Sequence, residues 1–209
     1  MKKFVSTVLT ILILITSVFS LNAFAQEQTR AEQWMQNLEN SELEMQFTSF
    51  NEGQKTVSKL YIKDGNIAAI STLPLLQNYD AEIKFIIKDG YVYMYLTSFP
   101  VFYLRFENED NVFQSNEQTE MIQLKSYEIQ EGSTTYYIEE FTETDSESLV
   151  KYYFIDDHLK KIETYETDEY SQSPSSVTEI LSEEVDDSVF RVPFFSINIA
   201  PLFDDFNIF

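Results

Sequence analysis

Residues 57–71 read Val57-Ser58-Lys59-Leu60-Tyr61-Ile62-Lys63, then Asp64-Gly65, then Asn66-Ile67-Ala68-Ala69-Ile70-Ser71. Two runs rich in β-branched, aliphatic and aromatic residues flank an Asp-Gly pair. That combination predicts a tight hairpin, because glycine adopts positive φ without a steric penalty. The phrase returns in Ile86-Ile87-Lys88-Asp89-Gly90 and, with aspartate in place of glycine, in Tyr153-Phe154-Ile155-Asp156-Asp157. All four glycines, Gly53, Gly65, Gly90 and Gly132, fall where hairpins should turn. None is left for a loop that cradles a phosphate.

Outward from this hairpin the two-residue period continues. From Glu42, the side chains of Leu43, Met45 and Phe47 face one way, and those of Glu44, Gln46 and Thr48 the other, which is a strand with one wet side. Further strands are expected over 57–63, 66–71, 81–88, 91–97, 121–130, 134–143, 149–155, 159–167 and 177–184, about nine or ten in a meander. Upstream, Thr29-Arg30-Ala31-Glu32 has the spacing of a capping box. Ala31, Trp34, Met35 and Leu38 then recur at helical spacing, so residues 30–40 read as one amphipathic helix. Three stretches break the pattern. Leu73-Pro74-Leu75-Leu76 is expected to start a short helix with proline in its first turn, and residues 98–104 are nearly continuous in apolar side chains, followed by a polar loop over 107–120. Residues 193–209 carry only Asp204 and Asp205 as charges, too apolar a composition for a free solvated arm.

The address lies in residues 1–25. Lys2 and Lys3 open it, an apolar run follows over 8–19, and Ala23-Phe24-Ala25 closes it with small residues at −3 and −1, the layout of a secretory signal peptide. The domain plan is therefore a signal peptide over 1–25, a single β-domain over 26–193 and a hydrophobic tail over 194–209. The expected location is periplasmic or extracellular, with no membrane segment after cleavage. No cysteine is present, so neither disulfides nor acylation of a cysteine is available.

The net charge is −21, and the only charges in residues 1–25 are positive, so the remainder is more acidic still. Nucleic acid is an unsuitable partner for such a surface. Catalytic chemistry is poorly supplied. The single histidine, His158, sits in a turn sequence without a nucleophile elbow. Adjacent carboxylates such as Glu139-Glu140 and Asp186-Asp187 are what this composition produces anyway, so a carboxylate hydrolase is only the alternative to a non-enzymatic protein. Neither a metal site nor a cofactor is expected. The apolar elements are more informative. Trp34 and Leu38 of the helix, Leu73, Leu75 and Leu76 of the first break, and Phe99, Phe102 and Leu104 of the second would lie over a sheet face lined by Met45, Phe47, Phe85, Val92 and Met94, where they either close the core or form lid segments over a cavity.

The order of these elements resembles the family of the periplasmic lipoprotein carrier LolA, with the lipoprotein receptor LolB and the stress sensor RseB. The hairpins turned by Lys-Asp-Gly carry the likeness, as do Tyr152-Tyr153-Phe154-Ile155-Asp156-Asp157-His158-Leu159 and the closing phrase Val185-Asp186-Asp187-Ser188-Val189-Phe190-Arg191-Val192-Pro193. The resemblance implies a mainly β fold: a half-open antiparallel barrel or curved sheet of about 9–11 strands, with the helix and lids over a concave apolar face. The carriers hold their lid with an arginine on an inner strand. The strands over 42–50 and 57–63 have none, so the shuttling of lipoproteins does not carry over. What remains is binding of a lipid, an acyl chain or an acylated partner at Trp34, Leu38, Met45, Phe47, Leu73, Leu76, Met94, Phe99 and Phe102. The alternative is an envelope interaction or sensor module without a cavity, contacting a protein through residues 194–209 and the acidic surface.

Overall fold

The computed structural model describes residues 28–51, 54–76, 79–108, 121–143, 148–166, 173–193 and 197–198. The expected signal peptide, the Gly53 turn, most of the 107–120 loop and most of the C-terminal tail lie outside the described residues.

The chain enters through a helix, α1 (Arg30–Asn37), continued by a 3-10 turn over Leu38–Asn40. Thr29 and Glu32 form the capping box: the Thr29 hydroxyl accepts from Glu32 N–H at 3.2 Å, and the Glu32 carboxylate accepts from Thr29 N–H at 2.8 Å. Six strands follow as a meander: β1 (Leu43–Asn51), β2 (Gln54–Lys63), β3 (Asn66–Leu76), β4 (Tyr79–Lys88), β5 (Tyr91–Leu96) and β6 (Phe102–Glu107). Five more form a second meander: β7 (Met121–Glu131), β8 (Thr134–Glu143), β9 (Ser148–Ile155), β10 (His158–Glu166) and β11 (Ser176–Ser182). A 3-10 turn over Asp187–Phe190 and a short β12 (Ile197–Asn198) complete the described chain. Strand order is β12-β6-β5-β4-β3-β2-β1-β11-β10-β9-β8-β7. The result is one curved sheet, open between its edges rather than closed into a barrel. Every pairing is antiparallel except β12 with β6.

The turns follow the sequence. Asp64, Gly65, Asp89 and Gly90 all take positive φ, the backbone twist that joins adjacent strands tightly. Asp156 and Asp157 do the same at φ 47° and 69° without glycine, a costlier solution. Asp157 also holds Arg30 at 2.8 Å, and the Arg30 guanidinium lies 4.1 Å above the Tyr137 ring.

Two expectations are corrected. The segment Leu73–Leu76 is not a lid helix but the end of β3. Pro74 opposes Asp80 next to an irregularity in register and beyond the last β2–β3 pair, Ser58 with Ser71, where its missing N–H leaves no gap in that ladder. The stretch 98–104 is not a lid either. It supplies the turn after β5 and the first half of β6, which pairs with β5 from Leu104 to Glu107. With β6 and the short β12 the described strands number twelve.

The two faces are covered differently. On the inner face, Ala31, Trp34 and Met35 pack against Phe141, Val150, Tyr152, Phe154, Leu159 and Ile162. Leu38 is fully buried with Leu43, Met45 and Ile62. On the outer face, the segment after β11 lays Val185, Val189, Phe190 and Val192 over Tyr61, Ala68, Ile86 and Tyr95. The closing phrase over 185–193 is thus a strap across the outer face of β2–β5.

One polar group positions α1. Tyr137 to Phe141 lie in a strand, so Glu139 and Glu140 must point to opposite faces. Glu139 goes inward, is 2% exposed, and accepts hydrogen bonds from the backbone N–H groups of Arg30 at 3.1 Å and Ala31 at 2.9 Å. Burial pushes its carboxyl above the usual range, while those two N–H bonds and the Arg30 charge oppose the shift. The positive end of the helix therefore rests on a carboxylate delivered by β8. Replacing Glu139 by Ala orphans both N–H groups and should cost about 1–3 kcal/mol in urea denaturation, with red-shifted emission from Trp34, the only tryptophan. Unchanged stability would mean that the apolar stripe alone docks the helix.

Candidate functional site

The hairpin registers place one residue from each strand in a row across the inner face: Met45, Leu60, Ala69, Phe85, Met94 and Leu104 on β1 to β6. A second row runs Leu43, Ile62, Ile67, Ile87, Val92 and Phe106. The helix and the Leu38 turn roof the β1–β2 end of these rows. On β4, β5 and β6, the side chains of Phe85, Ile87, Val92, Met94, Leu96 and Leu104 are only half-buried, and no described helix packs over them. Alongside lies a buried polar pair, Ser58 and Ser71, whose hydroxyls share a 2.9 Å hydrogen bond. The remaining surface of this part of the face is aliphatic, aromatic or thioether.

Of the residues expected to bind, Leu38 and Met45 are fully buried beneath the helix with Trp34 packed on them. They close the core and do not line an open surface. Phe47 is 8% exposed on the same face, opposite Ser58 and Thr178. Met94 stands on the half-buried part. Phe102 begins β6 on the side shared with Leu104. Phe99 projects from the turn before it, and the two rings stand 5.7 Å apart. The side chains of Leu73 and Leu76 lie outside the described residues. The sequence reading places Leu104 in a lid segment, whereas the structure puts it in β6 opposite Met94, and it misses Ile87 and Leu96. The Lys88-Asp89-Gly90 turn would have found Ile87: it sets Lys88 opposite Tyr91, and hence Ile87 opposite Val92 and Phe85 opposite Met94.

His158 opens β10 as an exposed residue, its Nδ1 3.1 Å from a Glu183 oxygen. A shallow groove of about 300 Å³ lies there, bordered by His158, Lys160, Ile180, Leu181, Ser182 and Glu183. Ser182 is engaged locally, its hydroxyl accepting from Glu184 N–H at 2.9 Å. Among the described residues no group of three or more histidine, aspartate or glutamate side chains is arranged to hold a metal ion.

The outer face of the second meander is polar but internally satisfied. Lys125, Glu140, Lys151 and Glu163 oppose one another in turn on β7, β8, β9 and β10, alternating in charge. Glu140, 4% exposed, takes Lys125 at 3.3 Å, Lys151 at 3.2 Å and the Tyr127 hydroxyl. Glu163 takes Lys161 at 2.8 Å, the Tyr165 hydroxyl at 2.7 Å and the Tyr153 hydroxyl. Burial pushes both carboxyls up, but these donors outweigh it and hold each below the usual range. Burial, then the neighbouring carboxylate, raises Tyr127 and Tyr165 to about 12. Every charge in the row answers another, so the lattice reads as structural.

Neither a protein-family model nor a curated protein matches the sequence. Among solved structures, the chain is similar to the crystal structure of an uncharacterized conserved protein from Thermus thermophilus, with a TM-score of 0.47 and 8% identity over 79% of this chain and 93% of that one. It is also similar to PNGF-II, with a TM-score of 0.38 and 12% identity over 79% of this chain. The matched part is 32% of the PNGF-II chain. Both likenesses are too distant to bear on activity. No described helix is long and apolar enough to cross a membrane.

The lattice predicts a two-sided pH dependence. Carboxyls depressed in the folded state stabilise it above their unfolded value of 4.5, and that contribution is lost as pH falls through the folded values. Tyrosines raised from 10 stabilise below pH 10, and their contribution is lost as pH rises toward about 12. Urea midpoints measured across pH should fall at both ends. Glu140→Gln should blunt the acid limb, and an alkaline limb that stays flat would show that the tyrosine bonds add nothing.

Proposed function

We propose that this is an exported, non-enzymatic protein that binds an apolar ligand, an acyl chain or an acylated partner, on the inner face of β4–β6. The observation that carries the reading is the asymmetry of that face. Under α1 the apolar side chains are sealed, whereas Phe85, Ile87, Val92, Met94, Leu96 and Leu104 form a continuous half-buried strip on the same sheet without a described helix above them. Each methylene buried there gains about 0.8 kcal/mol, so a medium acyl chain lying along the strip gains enough for specific binding without any charged contact. The leader-like residues 1–25 support export, and a chain with one histidine and no cysteine is better equipped for binding than for nucleophilic catalysis.

The test is titration with N-phenyl-1-naphthylamine, an uncharged probe that fluoresces in apolar surroundings. The natural protein should bind it, and Met94→Asp or Leu104→Asp should weaken binding at least tenfold with the β-sheet circular dichroism intact. Equal binding by these variants overturns the assignment of the strip and turns attention to an interaction module without a ligand.

A further inference from the structure

Eight large apolar side chains are exposed among the described residues, and four of them, Phe99, Val101, Phe102 and Ile197, meet at one corner of the sheet. They come from two distant segments. The Ile197 N–H donates to the Val101 carbonyl at 2.8 Å, Ile197 pairs with Phe102 across β12 and β6, and the Phe99 and Phe102 rings are in contact. Their exposures run from 39% to 58%. Both segments are free of charge: no charged residue stands between Asp89 and Arg105, or between Arg191 and Asp204, in a chain of net charge −21. The corner also adjoins the apolar strip, since Phe102 shares its side of β6 with Leu104.

We propose that this corner is a docking surface for an uncharged, zwitterionic lipid–water interface. Two phenyl rings and two aliphatic side chains enter the interfacial layer, and the acidic remainder stays in water. Neither 90–104 nor 192–203 carries a lysine or arginine, and Arg105, whose backbone N–H donates to the Asn198 side chain, lays its guanidinium over Tyr91; together with the net negative charge this selects against anionic bilayers and so fixes the class of lipid. The inference deepens the ligand-binding reading, because a corner that touches lipid would deliver an acyl chain directly to Leu104 and Met94. It rests on that reading only for the transfer and not for the docking.

Flotation of the natural protein with phosphatidylcholine vesicles tests it. Binding is expected, and replacing a third of the lipid by phosphatidylglycerol should lower it several-fold at low salt. The double variant Phe99→Ser/Val101→Ser, confined to the turn, should lose at least tenfold in bound fraction while keeping its circular dichroism. Leu181→Ser, which removes an exposed apolar side chain of β11 away from the corner, should float as the natural protein does. Absence of flotation, or equal flotation of the double variant, overturns the proposal. So does a dimer in size exclusion that the double variant dissociates without any vesicle binding, which would make the occupant a second copy. Flotation without naphthylamine binding sinks the ligand reading and leaves docking standing, and the reverse pattern sinks docking alone.

Discussion

The pairing of β1 with β11 is the join on which the molecule depends. Each meander is made of hairpins between sequence neighbours and could form locally, but neither alone supplies a roofed core. Their union is set by a ladder between chain positions such as Gln46 and Glu179, 133 residues apart, whose side chains also touch at 3.4 Å. Closing so long a loop costs entropy before any contact repays it. The repayment is concentrated at the seam: Met45 and Ile180 lie there under Leu38 and Trp34, and the helix that follows the capping box straddles both meanders. Lys63 braces the lower end, bridging Glu42 and Asp187 at 2.9 Å each, while Glu42 accepts from Val185 N–H at 2.7 Å.

The seam explains why the inner face is unequal along its width. A helix of eight residues is about 12 Å long and cannot roof twelve strands. Anchored by Glu139 at its N-terminus and by Leu38 at its end, α1 covers the middle of the sheet and part of the second meander. The first meander gets its cover on the other face, from the strap over 185–192. Strands β4 to β6 are thus held firmly from behind and are less enclosed in front.

What could be read from the sequence was local. The Asp-Gly turns, the capping box and the two-residue alternation located most strands to within a residue or two, because each is decided by a few neighbouring side chains. The non-local features did not show. Residues 98–104 lack alternation, since the turn places Phe99, Val101 and Phe102 all in exposed positions, so by sequence β6 resembles a lid. Pro74 signalled a helix start because nothing nearby marks the end of the β2–β3 ladder. Trp34, Leu38 and Met45 carried the correct message that a helix stripe meets a sheet face. Whether that meeting is sealed or open is set by how far the helix reaches, which no short window of sequence records. The adjacent Glu139 and Glu140 did contain a legible clue. Two consecutive carboxylates in a strand force one inward, and an inward carboxylate needs donors.

Strand order also constrains how widely the sheet can spread. β6 and β7 stand ten inter-strand steps apart, about 48 Å if the sheet were flat, and they run in the same direction, so the connection must also travel the length of a strand. From Glu107 to Met121 the chain advances fourteen residues, a reach of about 50 Å when fully extended. A flat sheet would leave this connection too short for the diagonal, so β6 and β7 must bend toward each other. The number of residues between β6 and β7 thus sets an upper limit on how flat the concave sheet can become.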